Sequence, residues 1–366
     1  MTKLYVFNPE HDLVLAEEKQ GRGMTPPRAA RLLRRDLGFL PAFMAMDGDW
    51  VMVDDAEVAR QAFAPFAQFL PDVKWVTPKG VERMPQREKL HVECCPWGWD
   101  EDVRNQLLRI GMNEYLMPSQ GDLVKWRRLS HRATSIGLLD EIVKAHPLAV
   151  GERIEATSLD EVRELMRQWH GAVVKAPWSS SGRGVRFVGE TLSDNEEGFI
   201  RRVLEQQQSV VVEPHYDCVL NFALEFFVRE RRTVPLEGIS VFSNAGAAYT
   251  GNLLAPEKEK QAMLEKHVDA LTMLDISYRI HRWLGNVACD GTTASPFLRV
   301  LRGPVGVDMM LVRTAEGIRI HPCVEVNFRC TMGHVALHVH QRTGGQFRSM
   351  AIKYEDNSYS LILKRD

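Results

Sequence analysis

Gly303-Pro-Val-Gly-Val-Asp308-Met-Met-Leu-Val-Arg-Thr-Ala-Glu316-Gly317-Ile-Arg-Ile-His-Pro-Cys-Val-Glu325-Val-Asn327-Phe-Arg329 reads as two strands joined by a tight turn, with acids where a sheet usually carries valine. With Glu316-Gly317 as a two-residue loop, Ala315 pairs with Ile318, and counting outward sets Asp308 opposite Glu325. Opposed side chains share a face, and Asn327, two residues on, shares it too, while Val324 and Val326 point the other way. Two carboxylates about 4 Å apart repel by roughly 4 kcal/mol at an effective dielectric near 20, so a neutralising partner is required. Two carboxylates and an amide suit a hard cation such as Mg2+, which shares its other positions with water and phosphate oxygens. The alternative is a solvated edge hairpin with ordinary surface acids, against which the apolar residues flanking each acid argue.

A chain of 366 residues exceeds one typical core, so two or three domains are expected. With 46 basic and 48 acidic residues the net charge is -2, which offers no electrostatic basis for binding nucleic acid or an anionic membrane. No segment approaches 18 continuous apolar residues, and charges interrupt the N-terminal apolar run. Six cysteines (Cys94, Cys95, Cys218, Cys289, Cys323, Cys330) then read as reduced thiols of a cytoplasmic protein. Oligomeric state is left open, a homodimer included.

Strands at Leu4 to Phe7, Trp50 to Val53 and Val73 to Val76 alternate with helices at Ala29 to Leu37 and from about Ala56 to Phe69. That alternation predicts an α/β domain with a parallel sheet. Pro78 to Leu90 interrupts it, Asp100 to Ile110 resumes it as a helix, and the domain boundary falls near residue 120. A helix from about Asp122 to Ser135 opens the second unit. Ser158-Leu-Asp-Glu161 caps a helix to Trp169. Strands follow at Ala172 to Ala176, Val185 to Val188, Val210 to Glu213, Val219 to Val228 and Val234 to Phe242. A long helix is expected to bury Leu264, Val268, Leu271, Leu274, Tyr278 and Leu284. The fold class is therefore α/β, turning to α+β toward the C-terminus.

Between two of those strands lies Val173-Val174-Lys175-Ala-Pro-Trp-Ser179-Ser180-Ser181-Gly182-Arg183-Gly184. A lysine among valines needs a negative partner, since a buried unpaired charge costs several kcal/mol. The Ser/Gly loop supplies backbone N–H groups, hydroxyls and a guanidinium, the groups needed to cover phosphate oxygens. It is no Walker A loop, and alone it is equally a hairpin turn. Upstream, Asn8-Pro9-Glu10-His11-Asp12 follows the first strand at the edge where open α/β sheets bind ligands, so Asn8, Glu10 and His11 are candidate substrate contacts, as is Asn252 with Tyr249. The other reading of that run is an Asn-Pro turn with a helix cap. Cys330, His334, His338 and His340 have a spacing that zinc could use, or that an ordinary amphipathic helix shows.

The strand lysine, the Ser/Gly loop, the strand ending in Glu213, and the Asp and Glu-x-Asn of the hairpin together resemble the ATP-grasp superfamily, over roughly Asp122 to the hairpin end. The resemblance implies an N-terminal domain over 1–120 on the substrate side and a two-lobed ATP-grasp domain over 121–366, divided near residue 210. It implies that Lys175 contacts ATP phosphates, that Ser179, Ser180, Ser181, Gly182, Arg183 and Gly184 form a lid over them, and that Glu213 and His215 lie at the adenine. Ribose falls to Asp217 or Asn221. The family's second phosphate-binding lysine is Lys125, with Arg127 and Arg128 as competitors. Asp308, Glu325 and Asn327 match ligands of two Mg2+ ions, and Arg329 falls near the transferred phosphate, with Arg183 as the second catalytic cation. An arginine common just before the hairpin aspartate is replaced by Gly306, leaving Arg302 as a substitute. The implied activity is ADP-forming ligation: ATP activates a carboxylate as an acyl phosphate, which an amine or thiol attacks. A small-metabolite kinase or a non-catalytic ATP-binding module would share these residues.

Overall fold

A computed structural model describes residues 1–17, 25–179, 184–229, 234–287 and 302–365. Four short strands, β1 (Lys3–Val6), β2 (Trp50–Met52), β3 (Lys74–Val76) and β4 (Glu93–Pro96), form a parallel sheet in the order β3-β2-β1-β4. Sequence periodicity finds three of them. β4, Glu-Cys-Cys-Pro, lacks β-branched residues and ends in proline, so it carries little strand signal and gains its place by pairing with β1. The interrupting stretch before it holds two short helices, Pro78–Glu82 and Gln86–Lys89.

The second sheet joins β5 (Ile154–Ala156), β6 (Ala172–Lys175), β7 (Val185–Val188) and β8 (Val210–Glu213) in the order β5-β8-β6-β7. Helices Leu159–Trp169 and Asp194–Gln207 close its own core, in which Val162, Met166, Val174, Ile200 and Val212 are buried. Ser158 caps the first of these helices as expected, its hydroxyl accepting from the Glu161 N–H. The helix expected from Asp122 to Ser135 is instead Gln120–Leu129, a 3-10 turn at Arg132–Ser135 and a further helix, Ile136–Ala145.

The third sheet has seven strands: β9 (Asp217–Val228), β10 (Leu236–Ala245), β11 (Ala248–Leu253), β12 (Gly303–Thr314), β13 (Gly317–Asn327), β14 (Ser349–Glu355) and β15 (Ser358–Lys364). Its order is β13-β12-β9-β10-β11-β14-β15. Phe222, Leu224 and Phe226 of β9 and Val307 and Met309 of β12 share one apolar core with Leu4 and Val6 of β1. The expected long helix is two, Glu257–Glu265 and Ala270–Val287. Leu271, Leu274 and Tyr278 are exposed rather than buried, while Ile276, Ile280 and Leu284 face the core. No helix among the described residues is long and apolar enough to cross a membrane.

Candidate functional site

The β12–β13 hairpin places Asp308 opposite Glu325, but by a route the sequence does not reveal. The turn is centred on Ala315 and Glu316, with Thr314 paired to Gly317 and Arg313 to Ile318, so the expected pairing of Ala315 with Ile318 is corrected. Met310 then faces His321, and a bulge follows in which Pro322, Cys323 and Val324 oppose Met309 alone. Proline cannot donate to the ladder, so the irregularity falls where one donor is missing. Those two extra residues restore the register in which the acids meet. Asn327 joins them, its Nδ2 donating to Asp308 Oδ2 at 3.1 Å.

Burial, then the facing Glu325 carboxylate and Glu225 on the neighbouring β9, push Asp308 up to about 7. Such a crowd of carboxyl and amide oxygens is the donor set a hard divalent cation takes. Arg132 supplies positive charge: its Nη2 donates to Glu325 Oε1 at 2.8 Å and its Nη1 to Ser179 Oγ at 2.9 Å. One guanidinium therefore ties the carboxylate hairpin to the Ser/Gly loop. That loop springs from β6 and β7, its base closed by the Ala176 N–H donating to the Gly184 carbonyl at 2.7 Å. Ser180, Ser181, Gly182 and Arg183 lie outside the described residues. Lys125 is half-buried on Gln120–Leu129, and the cation shown bridging the two motifs is Arg132.

Lys175 ends β6 and is buried as expected, with its Nζ 2.6 Å from Glu213 Oε2. Glu213, which the resemblance sets near an adenine amino group, is buried with Arg153 on its other oxygen at 2.6 Å. Arg153 also donates to the carbonyls of Cys323 and Val324 in the bulge, at 2.8 and 2.6 Å. Burial would raise the Glu213 carboxyl, but Arg153 and then Lys175 overcome it and hold it down to about 2. Of the other nucleotide candidates, His215 is exposed with its ring edge-to-face on Phe187, and Asp217 is paired with Arg313 at the exposed start of β9. Asn221 lies within β9, paired with Met310 and Phe242.

Arg329, two residues past Asn327, donates its Nε to both oxygens of Asp12 at 3.1 Å. Burial works against its charge, but Asp12 first, then Glu325 and Asp308, raise its pKa. The N-terminal segment thus reaches the hairpin. Asn8, Glu10 and His11 are buried there: Asn8 bonds Gly98 and Asp100, Glu10 accepts from Arg34 at 2.8 Å, and His11 faces Asp100. Asn252 and Tyr249 do not join them, being bonded to each other at 2.6 Å within the third sheet. The zinc reading is corrected as well, since among the described residues no three His, Cys, Asp or Glu side chains form a metal-binding group. His334 instead pairs with buried Glu225 at 3.0 Å. Arg329 also lines a cavity of about 1110 Å3 walled in part by Trp97, Trp99 and Trp126.

Sequence reasoning missed Arg132, Arg153 and Asp100. No protein-family model and no curated protein sequence matches the chain. Among solved structures, the biotin carboxylase–β,γ-ATP complex from Campylobacter jejuni is similar to this chain with a TM-score of 0.51 and 10% identity, over 98% of this chain and 73% of that one. The chain has the ATP-grasp fold. An N5-carboxyaminoimidazole synthetase from Staphylococcus aureus, complexed with ADP, gives a TM-score of 0.46 at 11% identity, over 98% of this chain and 80% of that one. A putative ATP-grasp superfamily protein from Archaeoglobus fulgidus gives 0.42 at 12% identity, over 100% of both chains. The residues that converge come from the second and third sheets and from the 3-10 turn at Arg132–Ser135.

Proposed function

We propose that this protein is a Mg2+-dependent, ADP-forming ligase that uses ATP to activate a small carboxylate for attack by an amine or thiol. The observation that carries this reading is the bridge from Glu325, which faces Asp308, through Arg132 to Ser179. Phosphoryl transfer asks a protein for alignment and charge neutralisation more than for covalent chemistry. Asp308, Glu325 and Asn327 would hold one or two Mg2+ ions. Bound there, the ions neutralise phosphate oxygens. Lys175 and Arg132 bind the phosphates, the loop Ser179 to Gly184 covers them, and Arg329 faces the transferred group. The segment after β8, with His215, Asp217 and, within β9, Asn221, forms the nucleoside side, and the domain over 1–120 offers the acceptor.

The test is ATP consumption with Mg2+ against pooled amino acids, dipeptides and metabolic acids, with products read by mass. ADP and phosphate released only when an acid and an amine or thiol are both present supports ligation. ADP with a phosphorylated metabolite replaces the reading with a kinase, ATP binding without turnover replaces it with a sensor module, and AMP with pyrophosphate contradicts it.

A further inference from the structure

Two of the tryptophans that wall the cavity are fastened to the residues on either side of Arg329. Trp126 Nε1 donates to the Phe328 carbonyl at 2.9 Å, and the Cys330 N–H donates to the Trp97 carbonyl at 2.8 Å. Trp97 is held from behind as well, its N–H on the Val6 carbonyl at 2.7 Å and its ring edge-to-face on Phe7 with centroids 5.0 Å apart. With Trp99, Tyr5, Met117 and Phe227 these rings give the cavity a firm apolar wall. Native cores leave few voids larger than a water molecule, so about 1110 Å3 bounded by such a wall is a binding site rather than a packing fault. It matches the roomiest small-molecule pockets, which run to about 1,000 Å3.

On the side of the acidic hairpin the charge on that wall is positive. Arg329 lies two residues past Asn327, which bonds Asp308, and after Asp12 both Glu325 and Asp308 raise its pKa. Its Nε is committed to Asp12, with Nη2 3.0 Å from the same carboxylate, and Nη1 donates to the Cys330 carbonyl at 3.1 Å. A guanidinium carries five N–H donors, so two remain for an anion. An ammonium finds no such partner. Among the described residues the acids lining the cavity are Glu93, paired with Arg302 at 3.2 Å, and Glu237, exposed at the start of β10. The other cations stand off or are matched: Lys3 begins β1, about 10 Å from the Val6 that holds Trp97, Arg229 is exposed beyond β9, and His334 is paired with Glu225.

We propose that this cavity takes the acid partner of the ligation proposed above, on which the assignment rests, and that this partner is a carboxylic acid with an apolar body, aryl or alkyl. Its carboxylate meets Arg329 on the side of the acidic hairpin, and the body lies along Trp97, Trp99 and Trp126. One carboxylate oxygen bonds to the γ-phosphorus of ATP as the bond from that phosphorus to the β-bridging oxygen breaks, and ADP leaves with the electron pair. A body that fills the cavity keeps water from the acyl phosphate until the nucleophile arrives.

Wild-type protein in Mg2+ buffer is titrated with hydrocinnamate and octanoate, with the amide and the primary amine of the same bodies, and with acetate and succinate. Binding is read by calorimetry and tryptophan fluorescence. The two apolar acids are expected to bind about tenfold or more tighter than acetate, succinate or their own amides and amines, and to shift the emission. With Mg-ATP and hydroxylamine, which captures acyl phosphates, both are expected to give hydroxamates by mass. Arg329→Met is expected to weaken the acids about tenfold or more and to leave the amides within about threefold, amide binding also showing that the variant is folded. If it does not fold, the wild-type comparison decides. Apolar acids that bind no tighter than acetate or succinate overturn the assignment, and hydroxamate from small polar acids in that case leaves the ligase reading in place. Amines that bind as tightly as the acids overturn it too, making the cavity the nucleophile's. Tight binding of apolar acids with no hydroxamate from any acid overturns the ligase reading and the substrate role with it.

Discussion

Lys175 and Glu213 form a buried ion pair at 2.6 Å, and the same carboxylate holds Arg153 on its second oxygen. Glu213→Gln keeps the shape but strands two buried cations, and removing one partner of such a group costs about 3–5 kcal/mol. The denaturant midpoint should fall accordingly. Lys175→Met leaves Glu213 with Arg153 and should cost less. Equal costs for the two variants would contradict a shared carboxylate. Glu213 sits below its ordinary 4.5 at about 2, so its contribution is complete above 4.5 and is lost as pH falls through about 2.

Asp308 has the opposite sign. Its carboxyl is raised from 3.8 to about 7, so without a cation the stability it contributes is present below 3.8 and lost as pH rises through about 7. A bound divalent ion needs the ionised form, so its apparent affinity should fall about tenfold per pH unit below that value. Thermal shifts with Mn2+ should therefore be larger near pH 8 than near pH 6. Equal shifts would remove Asp308 from the ligand set.

Glu325→Gln takes away the carboxylate shared by the proposed ion and Arg132. ATP turnover should drop about a hundredfold or more. Because Glu325 is 27% exposed and its ion pair partly solvated, the melting temperature should move by only a few degrees. Full turnover in this variant would refute the metal site.

Gly306 pairs with Glu225 on β9, and a Cβ there would meet Thr331 Cγ2 at 2.6 Å and Glu225 Oε2 at 2.8 Å. Gly306→Ala should destabilise by about 1–3 kcal/mol, read by chemical denaturation, since the contacts are buried on both sides. Restoring an arginine at this position should fail to give folded protein. A folded, active Gly306→Arg would show that the pocket opens.

Much of the site was legible because its residues break a local pattern. A lysine among valines and acids on a hairpin stand out against strand periodicity, so Lys175, Asp308, Glu325 and Asn327 could be named before any coordinates. Arg132 and Arg153 could not, because isolated arginines with polar neighbours read as surface charge, and only the packing of β6, β8 and β13 around them makes them interior. β4 was invisible for the reason given by its composition, and without its pairing to β1 nothing set Asp100, read only as a helix start, beside Asn8 and His11. In Ala270–Val287 the chosen stripe divides, Leu271, Leu274 and Tyr278 facing solvent while Leu284 is buried, since that helix is apolar on more than one side.

The irregularity at Pro322 separates the tip of the β12–β13 hairpin from its chemistry. Residues added or removed at Ala315 and Glu316 alter only the outer rungs, while the inner rungs are held from the side by Arg153 and by β9. That tip is a place where this protein can accept an epitope, a dye or a chain break and keep its acids face to face.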